Sequence, residues 1–155
     1  MRIRPLSHQD LPRLMVLYTH YIDPAQLPSL SQAQMEAIWQ RIDGNPAIRY
    51  LVAETNDELI ASLVLTITPA FIRGGNGFAT IEHVVTHSDH RRRGVARAVV
   101  GHALEMAWAD GCTEVMLLTG AKNHPAHALY RSLGFNGQRK AGFISFKKRS
   151  TETVA

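Results

Sequence analysis

The sequence predicts one α/β domain of mixed α+β type, a mixed sheet with helices packed on it, and three observations carry that expectation. Hydrophobic residues make up 45% of the 155 and charged ones 19%, the balance of a globular chain long enough to bury a core without disulfide or metal staples. Apolar spacing switches along the chain between helical and strand periods, in the order strand, two helices, three strands, helix, strand, helix, strand. Glycine, proline and capping residues punctuate the switches. There is no repeat, low-complexity tract or linker, so residues 1–149 are expected to form a single domain and 150–155 a frayed tail.

Each element has its own signal. RIRPL, residues 2–6, opens as a short strand. Ser7 followed by Asp10 reads as a capping box ahead of the apolar face Leu11, Leu14, Met15 and Tyr18, a first helix. After Pro24 and Pro28, Ser31 with Gln34 repeats that signal before Met35, Ile38, Trp39 and Ile42, a second helix ended near Gly44. YLVAE (50–54) and LIASLVLTIT (59–68) form a hairpin about an NDE turn. The flexible RGGNG (73–77) leads into FATIEHVVTH (78–87), a strand rich in β-branched residues. Val95, Val99, Ala103, Met106 and Ala107 keep helical spacing up to Gly111. TEVMLLT (113–119) is a strand, NHPAHALYRSLGF (123–135) a short helix closed by Gly134, and about 142–148 a last strand.

Several function classes lose support from composition alone. No apolar segment approaches the roughly 18 residues of a membrane span, and MRIRPLSHQD lacks the apolar centre of a secretory signal. The single cysteine, Cys112, has no internal partner, which favours a reducing cytoplasm; a small buried hydrophobe fits its position better than an acyl-carrying nucleophile. A net charge of +4 suits an anionic ligand but is too modest to announce a nucleic-acid binder, and 7% aromatic content leaves few rings to stack on bases. The basic group Arg139, Lys140, Lys147, Lys148 and Arg149 reads as a solvated face. His83, His87, His90, His124 and His127 lack the ligand spacing of a zinc site, so no metal is expected. Neither nucleic acid nor membrane is an expected partner.

The stretch THSDHRRRGVARAVV, residues 86–100, sets Arg91, Arg92, Arg93 and Arg97 around a strand-to-helix turn. The first N–H groups of such a helix have no acceptor within it, the helix dipole adds positive potential, and Gly94 with Ala96 lets an anion approach the main chain. The spacing has neither the Lys-Ser/Thr of a P-loop nor a Gly-x-Gly-x-x-Gly with a later acidic residue, so nucleotide triphosphate and dinucleotide lose support.

What remains, Arg91-x-x-Gly94-x-Ala96, resembles the Gln/Arg-x-x-Gly-x-Gly/Ala signature of the GNAT superfamily of N-acetyltransferases. IEHVVTHSDHRRRGVA and NHPAHALYRSLGF are similar to that family's fourth strand with its pyrophosphate loop and to its later Asn-x-x-Ala-x-x-Leu-Tyr-x-x-x-Gly-Phe segment. The resemblance is strong from about residue 78 to 135. It implies a central, mostly antiparallel mixed sheet splayed at strands 4 and 5 with helices on both faces, and acetyl-CoA as cosubstrate, its pyrophosphate held by the amides of Arg91, Arg92, Arg93, Gly94, Val95, Ala96 and Arg97. Arg92 stands where many members have glycine, and a left-handed turn is costly for arginine. The arginine side chains either reach the ribose 3′-phosphate or are solvated around a main-chain site.

Acetyl transfer from a thioester to an amine needs a base, a stabilised oxyanion and a proton for the departing thiolate. Glu82 is the candidate base, a carboxylate in the middle of an apolar strand that matches the family's position; the alternative is a salt-bridged strand glutamate. His83, on the opposite face by strand alternation, is the weaker candidate. Tyr130 matches the family's tyrosine and is the candidate acid, or else a packing residue. Asn123 would bond the pantetheine arm, cap its helix, or both. The resemblance implies a backbone N–H near Val84 or Val85 as oxyanion donor. The expected reaction is direct transfer, through a ternary complex and a tetrahedral intermediate, to a primary amine of a small or amino-acid-like acceptor. Residues 18–30 and 69–77, with Tyr21, Asp23, Phe71 and Arg73, are expected to line the acceptor pocket. A peptide or protein acceptor and a CoA-binding regulatory module without turnover are the alternatives, and a homodimer is expected through the sheet edge near the last strand.

Overall fold

The computed structural model describes residues 1–21 and 30–145. The chain runs β1 (Arg2–Pro5), α1 (Leu11–Thr19), α2 (Gln32–Ile42), β2 (Ile48–Thr55), β3 (Glu58–Thr68), β4 (Phe78–Thr86), α3 (Val95–Ala109), β5 (Val115–Leu117) and α4 (His124–Ser132). The five strands lie in the order β1-β2-β3-β4-β5, antiparallel except for the parallel pair β4 and β5. This is the mixed sheet that the sequence predicts.

Alternation along β2 divides the core. Leu51 and Ala53 face Val95, Val99, Val100, Ala103 and Ala107 of α3 and Tyr130 of α4. Val52, between them in sequence, faces the other way, into Leu14 and Leu17 of α1 with Trp39 of α2 at the margin. Helices therefore cover both faces. The stripe of α3 is the predicted one, with Val100 added and Met106 only partly buried. Asn56 and Asp57, both at positive φ, close the β2–β3 hairpin as a two-residue loop between the paired Thr55 and Glu58.

The capping signals act somewhat differently from one another. At α2, Ser31 Oγ accepts from Gln34 N–H, and Gln34 reaches back to Ser31 N–H. Before α1, a 3-10 turn at His8–Asp10 comes first. There Asp10 accepts from the N–H and Oγ of Ser7, and it is also gripped by both terminal nitrogens of Arg4, at 2.6 and 3.0 Å. Asp10 is 2% exposed, and the Arg4 guanidinium holds its carboxyl far below the usual carboxylate range.

Three expectations need correction. TEVMLLT yields only the three-residue β5. Gly142 to Ser145 are not in a strand: Phe143 and Ile144 are exposed, with no sheet neighbour among the described residues, and so short a β5 offers little edge to pair with. Residues 146–148 of that expected strand, and the expected frayed tail, lie outside the described residues. RGGNG contains a 3-10 turn, Arg73–Gly75.

Candidate active site

β4 and β5 pair only at Ala79 with Val115, Thr80 with Met116 and Ile81 with Leu117. Beyond Ile81, β4 continues to Thr86 with no strand on that side among the described residues. The sheet is splayed between strands 4 and 5, as the family resemblance implies.

β4 is also broken on its other side. Val64 pairs with Glu82, but Ser62 pairs with Val85, so His83 and Val84 together oppose Leu63. His83 takes a φ of 51°, left-handed and unusual for a side chain with a Cβ. The bulge shifts the alternation by one residue. Val84 packs against the core that holds Ile81, whereas Val85 is buried in the core beneath α1. His83 is therefore an exposed bulge residue, not a regular member of the face opposite Glu82. His87 N–H donates to Ile60 of β3 at 2.9 Å. By alternation Val85 N–H also turns toward β3, leaving those of Val84 and Thr86 toward the side that β5 has left.

Glu82 lies in one row across the sheet with Val64 and Tyr50, two strand spacings or about 10 Å from Tyr50 at Cα. It is exposed and makes no hydrogen bond or ion pair with the described residues. The salt-bridged alternative has no partner among the described residues. Burial raises the Tyr50 phenol and the charge of Glu82 raises it further. Tyr18, above the same face, is pushed up to about 12 by burial.

Tyr130 projects from α4 into the core that underlies α3 and meets Phe135 edge to face, with ring centroids 5.8 Å apart. It is 9% exposed, and its hydroxyl has no hydrogen-bond partner among the described residues. Burial raises its pKa and Tyr21 adds to the effect, so the phenol stays neutral over the ordinary pH range. At the start of the same helix, Asn123 accepts from Ala126 N–H at 3.3 Å. The cap is made, and the amide nitrogen of that side chain is left over for other partners.

The turn into α3 is left-handed twice, at Arg92 (φ 58°) and Gly94 (φ 80°). Arginine does adopt here the conformation that it was expected to avoid. The first bond of α3 runs from Ala98 N–H to the Gly94 carbonyl, so Val95, Ala96 and Arg97 have no acceptor in the helix. A Cβ built on Gly94 would meet nothing within 4 Å, so the space over the turn is open to an anion. Arg92 and Arg93 are exposed and make no hydrogen bond or ion pair with the described residues. The other two side chains are engaged: Arg97 donates to Ser132 Oγ at 2.6 Å, tying α3 to α4, and Arg91 donates to the carbonyls of His20 (2.6 Å) and Thr86 (3.3 Å).

Sequence reasoning missed that link from Arg91 to His20 and the histidines around it. His20 and His87 stack with ring centroids 3.7 Å apart, and His87 and His90 each face Glu58. Partners 71 residues apart leave no local signal. Among the described residues no group of three His, Cys, Asp or Glu side chains is arranged to hold a metal. Of the expected acceptor residues, Tyr21 and Phe71 are exposed, and Asp23 lies outside the described residues.

Known proteins resemble this chain in sequence and fold. The acetyltransferase (GNAT) family model matches residues 14–135. A candidate acetyltransferase from Agrobacterium tumefaciens str. C58 superposes with a TM-score of 0.87 at 35% identity, over 95% of this chain and 100% of that one. Glucosamine 6-phosphate N-acetyltransferase of Trypanosoma brucei brucei is 25% identical over 140 residues, 90% of this chain and 92% of its own. Aminoglycoside N(6')-acetyltransferase type 1 of Acinetobacter haemolyticus is 32% identical over 101 residues, 63% of this chain and 68% of its own. The parted strands, the unbonded helix entrance and the family match over residues 14–135 lead to one conclusion: this chain belongs to the GNAT family of acetyltransferases.

Proposed function

We propose that this protein transfers an acetyl group from acetyl-CoA, the cosubstrate of its family, directly to the primary amine of a small or amino-acid-like acceptor. The observation that carries this reading is the gap where β4 runs on past Ile81 without β5, next to a helix entrance with three unbonded N–H groups. In it, the amides of Arg92 to Arg97 hold the diphosphate, and Arg92 and Arg93 are free to reach further phosphate oxygens. The leftover amide of Asn123 bonds the pantetheine arm.

Each step then has a residue. An alkylammonium near pKa 10 must lose a proton before it can attack, and Glu82 takes it, directly or through water. The amine nitrogen bonds to the thioester carbonyl carbon, and the developing oxyanion is met by Val84 N–H. As the carbon–sulfur bond breaks, Tyr130 gives its proton to the thiolate; the neutral phenol that burial favours is the form this needs. Cys112 is buried, and burial raises its thiol, so a free thiolate for an acyl-cysteine intermediate is disfavoured and direct transfer is the simpler route.

Two relatives bear names of small-molecule amines, glucosamine 6-phosphate and aminoglycosides, which supports an acceptor of that class here. Leu118, Phe143 and Ile144, exposed near β5, are where a second copy would pack in a homodimer; gel filtration with light scattering tests that part. No helix among the described residues is long and apolar enough to cross a membrane. A free, buried cysteine suits a reducing cytoplasm. The decisive assay is thiol release from acetyl-CoA against a panel of amines, amino acids, aminoglycosides, polyamines and peptides. Amine-dependent release supports the proposal, and none with any acceptor overturns it.

A further inference from the structure

Arg91 occupies the first position of the signature, yet its guanidinium is turned away from the open turn and onto the protein. Its Nη2 donates to the carbonyl of His20, the residue that ends α1, at 2.6 Å, and its Nε to the carbonyl of Thr86, the last residue of β4, at 3.3 Å. A helix end presents carbonyls with no partner in the helix, and a planar cation with several donors suits them. The same end is held twice more. His20 Nδ1 meets Ser88 Oγ at 3.2 Å, and its ring stacks on His87. These three contacts of His20 fall on residues 87–91, the segment that leads into the proposed phosphate turn.

Tyr21 follows His20 directly, its N–H bonded to the Tyr18 carbonyl at 3.0 Å. The donor turn and the end of α1 are thus mechanically in series.

We propose that Arg91 is a positioning residue that couples the acyl-donor turn to the end of α1, so that occupation of the turn also orders that helix end. The proposal rests on the reading of residues 92–97 as the diphosphate site. It assigns the Arg91 side chain to this clasp in place of a phosphate oxygen, while leaving its main chain in the turn. A ligand that orders the turn then orders α1 through bonds that already exist, and coupling of this kind is reciprocal.

Hydrogen–deuterium exchange at saturating CoA tests it, read on peptides covering residues 11–21 and 86–100. In the wild-type protein CoA should slow exchange in both, by at least about five-fold at the end of α1, the low end of usual coupling factors. In Arg91→Ala, and in Arg91→Lys, which keeps the charge but lacks the fork that spans two carbonyls, the slowing should remain at the turn and vanish from 11–21. The lysine variant carries the test should the alanine variant not fold. Slowing at the turn alone in the wild type, or slowing at 11–21 that survives in either folded variant, overturns the coupling and leaves the diphosphate site standing. No slowing anywhere in the wild type overturns that site and the coupling with it.

Discussion

Ile81 and Leu117 are the last residues at which β4 and β5 lie side by side, and β4 runs on past them to Thr86 without that neighbour. A strand that outruns its neighbour leaves main-chain groups without partners, and such groups are satisfied by water or by a ligand. Glu82 is the first residue past the split. The bulge at His83 and Val84 follows at once, and the turn of Arg92 to Gly94 stands at the end of the same run.

Glu82→Gln removes the base without removing bulk. Because Glu82 makes no ion pair or hydrogen bond with the described residues, the substitution should leave the fold and CoA affinity intact. Turnover at neutral pH should fall by about 10²- to 10⁴-fold. Steady-state kinetics across pH checks it; full turnover would remove Glu82 from the mechanism.

Tyr130→Phe keeps the ring against Phe135 and deletes a hydroxyl that has no partner among the described residues. Thermal stability should be unchanged or slightly raised while kcat falls at least about ten-fold. A general acid works only while protonated, and burial raises this phenol. The wild-type kcat plateau should therefore extend above the ordinary tyrosine range near 10, and its upper limb should disappear in the variant.

Arg92→Gly separates backbone from side chain. Arginine at φ 58° carries a left-handed strain of about 1 kcal/mol, which glycine relieves, although glycine loses more freedom on folding. Denaturant titration should place the variant within about 1 kcal/mol of wild type. If the guanidinium reaches a phosphate, CoA affinity should drop about ten-fold with a shallower salt dependence; unchanged affinity would leave the main chain as the whole site.

Asp10→Asn tests the fold's main polar anchor. Asp10 is buried, and its pKa is lowered chiefly by Arg4, with Ser7 assisting. A carboxyl depressed in the folded state contributes stability that is fully present above its unfolded pKa, near 3.9, and is lost as pH falls through the lower folded value. Removing that charge should cost about 3 kcal/mol at neutral pH. It should also flatten the loss of stability below about pH 4, as thermal melts across pH would report.

Local signals were legible in the sequence wherever the cause is local. Ser31 with Gln34 caps α2, Asn56 and Asp57 turn the hairpin, and the spacing of Val95, Val99, Ala103 and Ala107 gives the face of α3. Gly94 could be read as the bend between strand and helix because helix entrances have fixed chemistry. The bulge could not be read: the apolar alternation of FATIEHVVT looks continuous, and only pairing to β3 shows that Leu63 faces two residues. Nor could the start of the expected last strand be refused, since Phe143, Ile144 and Ser145 have a strand's composition and lack only a sheet neighbour among the described residues. Asp10 was read as a cap residue, and its stronger partner, Arg4, sits in the preceding strand, which spacing within a helix does not reveal.

The central claim is that main-chain amides at the entrance of α3 grip a diphosphate, and isothermal titration with acetyl-CoA, wild type beside Gly94→Val, tests it most directly. Gly94 has φ 80° and open space above it, so valine would strain the turn and place its methyl groups where the anion should lie. The account predicts micromolar binding by the wild type and a loss of at least about a hundred-fold, near 2.7 kcal/mol, in a variant that still folds. Equal affinity in the two proteins, or no heat from the wild type at millimolar ligand, would contradict it.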